Sequence, residues 1–252
     1  TRRQRQMCIR DRPYTLQRLC LVYAWRRFFS GANTTVGIAL FDLDNTLIAG
    51  DSDYLWGCFL VEQGIVDGPS YERENRRFYD LYKVGKLDIH EFLDFQLRPL
   101  AANDLDTLHR WREQYIEEKI IPILLTKAHD LINRHREQGD TLAIITATNR
   151  FITAPIAALY GIEHLLATEP ELVDGRYTGS ITGIPCFQDG KVQQLSGWLQ
   201  AHRQTLEDSW FYSDSHNDLP LLNKVLNPVA VDPDEILEQH AGEHGWPVIS
   251  LR

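Results

Sequence analysis

The chain is poor in sulfur: its 252 residues contain one methionine and four cysteines, Cys8, Cys20, Cys58 and Cys186. Those cysteines are scattered, without CxxC spacing, in a chain too large to need disulfide staples. A structural zinc site is therefore not expected, and a reducing cytoplasm is the expected compartment. Long apolar runs are missing too. The longest, residues 19–25 and 120–125, fall far short of the roughly 18 to 20 residues that cross a bilayer, so no integral membrane segment is expected. The chain has no internal repeat, low-complexity tract or Gly/Ser-rich linker, and His90, His109 and His129 lack the HxH or HxxxH spacing of a histidine metal site.

Acids are scarce in one place only. Residues 1–30 hold eight arginines against the single acid Asp11, so this arm is +7 while the chain as a whole is −9 and its remainder −16. Charge split in this way marks the arm as a separate object. One reading is an address, a basic membrane-surface helix or a nucleic-acid tail; a signal peptide is excluded because arginines break its apolar stretch and no clean small-x-small site follows. The preferred reading is that the arm is foreign, because RQRQMCIRDR, which contains the lone Met7, resembles translated sequencing-adapter read-through. Residues 1–35 are accordingly set aside from functional inference, and no nucleic-acid partner is expected.

What is present is ordinary for a globular protein, 43% hydrophobic and 24% charged residues, enough for one large domain or a core with a smaller insert. VGIALFDLDNTL reads as a buried parallel strand whose carboxyl end opens into a polar loop. Residues 52–122 then show apolar positions at helical spacing in four successive segments, with Pro69–Ser70, Asp88 and Asn103 or Asp104 as starts and Gly64 and Gly85 as stops. After a further helix over 123–138, strands and helices alternate to the end, with one hairpin through VDGRYTGSITG. The expected fold is α/β: a doubly wound parallel sheet (Rossmann-like core) over 36–51 and 123–252, with an inserted small helical-bundle cap over 52–122.

Four features fall at or near strand ends: Asp42-Leu43-Asp44-Asn45-Thr46, Thr146, Lys191, and Asp214 to Asp218. In a parallel sheet such ends share one rim, where ligands bind. Carboxylates at i and i+2, sharing a site with two more, repel one another unless a cation joins them, and a hard oxygen-seeking ion such as Mg2+ suits that set. A metal, a lysine and a hydroxyl together hold a phosphate. One carboxylate can then attack phosphorus while its neighbour protonates the departing oxygen, which makes Asp42 the nucleophile and Asp44 the acid and base. Each feature alone has a plainer reading: DLDNT as a capping turn, Thr146 as a structural strand end, Lys191 as a solvated helix start, Asp214 to Asp218 as another capped turn. Their ordered coincidence favours the phosphate site.

Taken together, these residues resemble the haloacid dehalogenase-like hydrolase superfamily. Its DxDx[TV] motif corresponds to Asp42, Asp44 and Thr46, its Ser/Thr motif to Thr146, its lysine to Lys191, and its acidic DxxxD pair to Asp214 and Asp218. The resemblance implies Mg2+ held by Asp42, the backbone carbonyl of Asp44, and Asp214, with Asp218 in support. Asp44 argues against true dehalogenases, which lack it, and the missing membrane helices against P-type ATPases. The helical insert and SDSHNDLPLL resemble the phosphoserine phosphatase-like branch, with Asn217 retained; Thr146-Ala147-Thr148 in place of SGG and Asp51 in place of a glutamate bring GDSDYLWGCFLVEQG closer to its histidinol-phosphatase-like members.

The implied activity is hydrolysis of a small amine-bearing phosphomonoester. Asp51, Thr148, Asn149 and Asn217 are expected at the substrate, with Asp51 or Asp53 meeting an amine. Asp53 has the plainer role of an acid in a helix's first turn. The aromatics Trp56, Phe59, Phe78, Tyr79, Tyr82, Phe92 and Phe95 are expected to be core rather than pocket. Arg76 or Arg77 is a candidate to reach a substrate anion. A membrane-surface lipid-phosphate phosphatase that uses the arm, and a noncatalytic phosphate-binding protein, remain as alternatives.

Overall fold

The computed structural model describes residues 37–252; the basic arm, and every reading attached to it, lies outside them. Strand β1 (Ile38–Phe41) has all of its residues buried, as an apolar run covered on both faces requires, since alternate side chains point to opposite sides. The chain then runs through α1 (Ser52–Glu62), α2 (Gly68–Lys83), α3 (Ile89–Gln96), α4 (Arg98–Ala102) and α5 (Leu105–Tyr115), and continues as a π-helical turn over Ile116–Ile120 and a 3-10 turn over Ile121–Ile123. Next come α6 (Thr126–Gln138), β2 (Thr141–Asn149), α7 (Arg150–Leu159), β3 (His164–Val173) and β4 (Arg176–Thr182). Last are α8 (Asp189–His202), β5 (Ser209–Ser213), a 3-10 turn at His216–Asp218, α9 (Leu219–Leu222), β6 (Asn227–Val231), α10 (Glu235–His244) and β7 (Val248–Ile249).

Among the described residues, seven strands form one sheet in the order β4-β3-β2-β1-β5-β6-β7. Only the β3–β4 hairpin is antiparallel; β1 pairs in parallel with β2 and with β5, and β5 with β6. The order reverses direction at β1, so the crevice beyond the carboxyl ends of β1 and its neighbours is where such a sheet binds ligands.

The helical stretch between β1 and β2 differs from expectation in count. Pro99, which has no N–H to give, ends α3 and sits in the first turn of the extra helix α4, and the segment expected to begin a helix at Ile123 starts it at Thr126 because Leu124 bridges Ile48. Its caps follow the sequence: Asp88 accepts from the His90 and Glu91 amides, Asp104 from that of Thr107, and Gly64 and Gly85 take the left-handed conformation at the stops. Trp56, Phe59 and Tyr115 are buried together and reach Phe151 of α7, while the Tyr115 hydroxyl donates to the Ser52 carbonyl at 2.7 Å. Buried apolar contact and a satisfied hydroxyl thus fix α1 over the strand ends.

Candidate active site

β1 ends at Phe41, so Asp42 emerges at the switch point of the sheet, and β5 ends at Ser213, so Asp214 emerges beside it. Lys191 comes from the first turn of α8. It is 3% exposed and donates to Asp42 Oδ1 and Asp218 Oδ2, each at 2.8 Å. Burial by itself would lower the lysine's pKa, but Asp218 and Asp42 hold it above the ordinary value. Asp218 is held further by the Ser213 hydroxyl at 2.7 Å, and Asp214 accepts from the Thr46 hydroxyl at 3.1 Å. One fully buried cation thus stands among Asp42, Asp44, Asp214 and Asp218 without balancing them.

The electrostatic consequence is visible in the carboxyl groups. Burial, opposed by Lys191 and reinforced by Asp218 and Asp44, pushes Asp42 up to about 7. Asp214 is raised well above the carboxylate range by burial and by the charges of Asp42 and Asp218. Asp44 takes a different set of partners: its carboxylate accepts from the Ser52 amide at 2.6 Å and from the Thr148 hydroxyl at 2.9 Å, with the Thr146 hydroxyl at 3.4 Å. It therefore sits at the amino end of α1, where backbone N–H groups favour an anion, yet burial still raises it.

The oxygen donors at this rim suit a hard cation. Burial and mutual repulsion disfavour the ionised forms of Asp42 and Asp214, and a cation between them would offset both effects. Among the described residues no group of three His, Cys, Asp or Glu side chains gathers as a metal cage. Of the four residues expected at a metal, Asp44 is expected through its backbone carbonyl and Asp218 in support, and the side chains of both have other partners. The Asp218 side chain is taken up by Lys191 and Ser213, and the Asp44 side chain by Ser52 and Thr148.

Beside this rim lies a cleft lined by Asp42, Asp44, Asp51, Asp53, Thr146 and Thr148, and on its other side by residues of α1, α2 and α3 together with Phe187. Asp51 is in the cleft and also caps α1, accepting from the Tyr54 amide at 2.8 Å; burial and the Asp44 charge push it up to about 7. Asp53, 7% exposed, is raised well above the ordinary range by burial and by Asp51 and Asp44. Its position in the first turn of α1 does not make it merely a dipole partner, because it faces the cleft.

Several expectations are corrected by this geometry. Asn149 does not line the cleft: it caps α7, accepting from the Ile152 amide, and its amide nitrogen lies 3.4 Å from Asp53. Asn217 is likewise occupied, donating to the Tyr82 carbonyl and to Ser215 and accepting from Gln188, so it ties α2 to the loop after β5. At the same contact a Cβ on Gly85 would lie 2.7 Å from His216 Nε2, a closeness that only glycine permits. Arg76 pairs with Asp80, and Arg77 with Glu74 and Glu91, on the outer surface; neither lines the cleft. Three of the aromatics assigned to the core, Tyr79, Tyr82 and Phe92, are half-buried and line the cleft, and Phe78, buried as expected, lines it too. Helical spacing cannot separate the two fates, because an apolar cleft wall and a core face have the same period.

Residues that the sequence reading passed over also line the cleft, notably Asn75, Gln96 and Phe187. Gln96 carried a faint signal, a long polar side chain amid Phe92, Leu93, Phe95 and Leu97. Phe187 carried none.

Comparison with known proteins agrees with this arrangement. The family model described as haloacid dehalogenase-like hydrolase matches residues 39–223. The chain is 43% identical over 219 residues to a Neisseria meningitidis protein named histidinol-phosphatase, a match covering 85% of this chain and 99% of that one. It is 29% identical over 217 residues to a Mycobacterium tuberculosis protein named phosphoserine phosphatase, covering 85% and 70%. A Bordetella pertussis crystal structure, of a protein with unknown function, superposes with a TM-score of 0.82 at 43% identity, over 86% of this chain and 100% of that chain. A substrate-bound phosphoserine phosphatase shares the fold at a TM-score of 0.63 and 17% identity, over 85% and 92%.

Proposed function

The chain belongs to the haloacid dehalogenase-like hydrolase family, and from that premise we propose that this phosphatase hydrolyses a small phosphomonoester bearing a cationic amine and no carboxylate, of the histidinol phosphate kind. The observation that carries the reading is the cleft's charge. Asp42, Asp44, Asp51 and Asp53 line it and no basic side chain does. An ammonium is favoured beside Asp51 and Asp53, whereas a substrate carboxylate would meet like charge with no arginine to receive it, a mismatch that costs several kcal/mol. This favours histidinol phosphate over phosphoserine, in line with the relative of higher identity.

Asp42 is the proposed nucleophile. Its carboxylate oxygen forms a bond to phosphorus as the ester P–O bond breaks, and Asp44 delivers its proton to the departing oxygen, leaving a phospho-aspartyl group on Asp42 and the free alcohol. Asp44 then takes a proton from water, the water oxygen bonds to phosphorus, and Asp42 departs as a carboxylate with phosphate released. The raised pKa of Asp44 suits a group that must begin as an acid. Thr148, donating to Asp44 at 2.9 Å, orients it, and Thr146 provides a hydroxyl for the phosphoryl oxygens. Lys191 holds Asp42 in place and offers positive charge to the same oxygens.

Mg2+, held by Asp42, Asp214 and the Asp44 backbone carbonyl with Asp218 supporting through Lys191, would neutralise phosphoryl charge and align the phosphorus for attack. Residues 52–122 act as the cap that closes substrate against the core formed by 36–51 and 123–252.

The test is phosphate release by the full chain, with Mg2+ and with EDTA, from histidinol phosphate, phosphoserine, phosphoethanolamine, sugar phosphates and a lysolipid phosphate. The expected result is Mg2+-dependent turnover with kcat/KM for histidinol phosphate at least about 100-fold above that for phosphoserine. Equal turnover of the two would overturn the charge argument. Asp42→Asn should abolish turnover with the circular dichroism spectrum unchanged; normal Mg2+-dependent turnover by that variant would refute the nucleophile.

A further inference from the structure

One polar atom in the cleft lacks a partner. Gln96, near the end of α3, is 1% exposed; its Nε2 lies 3.4 Å from the Asp53 carbonyl oxygen, and its Oε1 is buried with no hydrogen-bond partner. The large majority of buried acceptors in folded proteins are satisfied, and one left open on a cleft wall is placed to take a donor that arrives from outside. Asp53 lies next to it, and among the described residues no ion pair engages its carboxyl group, whose side-chain neighbours are the Thr148 hydroxyl and the Asn149 amide nitrogen, the latter a long 3.4 Å away. Both residues line the cleft, and both present acceptors.

The walls around these acceptors are flat. Phe78 and Phe92 meet edge to face with centroids 5.4 Å apart, and Tyr54 and Tyr79 lie 4.9 Å apart, all four on the cleft. Aromatic walls of this kind favour a planar group, and an acidic end favours one that carries positive charge and N–H donors.

We propose that Gln96 and Asp53 form a recognition end for a flat, nitrogen-bearing ring, with Gln96 Oε1 accepting the ring N–H and Phe78 and Phe92 packing against the ring. The inference rests on the phosphomonoester reading, which puts an ammonium beside Asp51 and Asp53, and refines it by leaving the ammonium to Asp51. It goes beyond that reading by assigning the ring N–H of the substrate to two residues, one of which no motif includes. The substrate class is then an imidazole-type ring on an amino alcohol phosphate. A substrate with a phenyl ring of similar size fits the walls but leaves Gln96 unpaired, and a site built to hydrogen-bond an N–H rejects the analogue that lacks it.

The test uses the phosphate-free alcohols, so it depends on neither metal nor turnover. Calorimetric binding of L-histidinol and L-phenylalaninol to the full chain is expected to favour histidinol by at least about tenfold. Gln96→Leu should bring the two affinities within roughly twofold, whereas Gln96→Glu, which keeps an acceptor, should retain the preference. With phosphate esters, Gln96→Leu should raise KM for histidinol phosphate by a larger factor than KM for phosphoethanolamine, which has no ring.

Equal binding of the two alcohols by the unaltered protein overturns the proposal, and so does a preference that survives Gln96→Leu, which would mean that water fills the space at Gln96. The first comparison needs no variant, so misfolding of Gln96→Leu does not protect the idea. Failure of the phosphatase reading looks different: no phosphate is released from any ester with Mg2+, whatever the alcohols do.

Discussion

Gly190 should be as necessary to the reaction as the lysine beside it. It is the second residue of α8, and a Cβ built on it would fall inside the van der Waals envelope of the Pro185 carbonyl oxygen and 3.2 Å from its carbon. Both atoms belong to the backbone, so no side chain can swing aside. To admit alanine, the start of α8 or the Pro185 carbonyl must retreat by about 1 Å, because backbone meets backbone there. The next residue is Lys191, whose Nζ meets Asp42 and Asp218 at 2.8 Å, and a shift of that size takes both contacts out of hydrogen-bonding range.

Overpacking of this kind costs about 1–3 kcal/mol, which for a chain of this size lowers Tm by roughly 2–12 °C. Misplacing a group at the reaction centre by about 1 Å costs on the order of 100-fold in rate. Gly190→Ala should show both effects, in thermal unfolding followed by circular dichroism and in kcat for histidinol phosphate. Gly197 is the internal control. It lies on an exposed face of the same helix with nothing within 4 Å of a Cβ, and alanine there should leave kcat unchanged and add up to about 1 kcal/mol of stability. Wild-type kcat in Gly190→Ala would refute the link between the helix start and the lysine's position.

Three other outcomes follow from the same geometry. Lys191→Met leaves Asp42 and Asp218 buried and facing each other, so urea unfolding should show a loss of about 3–5 kcal/mol, partly restored by adding Asp218→Asn; an additive double variant would mean that the ion pairs are not coupled. A Cβ on Gly57 would lie 2.7 Å from Asn75 Cγ and displace the amide that donates to the Tyr54 carbonyl at 3.0 Å. Gly57→Ala should therefore raise KM for histidinol phosphate and lower stability by about 1–3 kcal/mol, and an unchanged KM would count against Asn75 as a cleft wall. His135 is fully buried between Asp140, at 2.7 Å, and the Tyr212 hydroxyl, at 2.8 Å. His135→Leu strands both partners and should cost about 1–3 kcal/mol in urea unfolding, with kcat per folded molecule unchanged.

The sequence alone determined the sheet and the rim. IALF is apolar at every position and ends in acids, and a strand buried on both faces can carry charge only where it leaves the sheet. Asp42, Lys191 and Asp214 with Asp218 were legible for the same reason: each stands where a regular element begins or ends, and parallel strands send those ends to one side, whereas Thr146 lies within β2, just past Ile145 where the regular pairing with β3 lapses. Helix caps such as Asp88 and Asp104 were legible because capping is local chemistry.

The tertiary structure decided which face of each cap helix turns inward and toward what. Phe78 and Phe92 obey the same 3.6-residue period whether they fill a core or wall a cleft, and only the packing of α2 and α3 over the sheet rim makes them a wall. It also decided the fate of polar groups whose partners are distant in sequence: Asn217 bonds to Tyr82, Asn149 lies against Asp53, Arg77 turns outward to Glu91, and Gln96 is buried with an acceptor unmet. Periodicity and capping are written into neighbouring residues, whereas a hydrogen bond across the fold exists only once the chain has brought its two ends together.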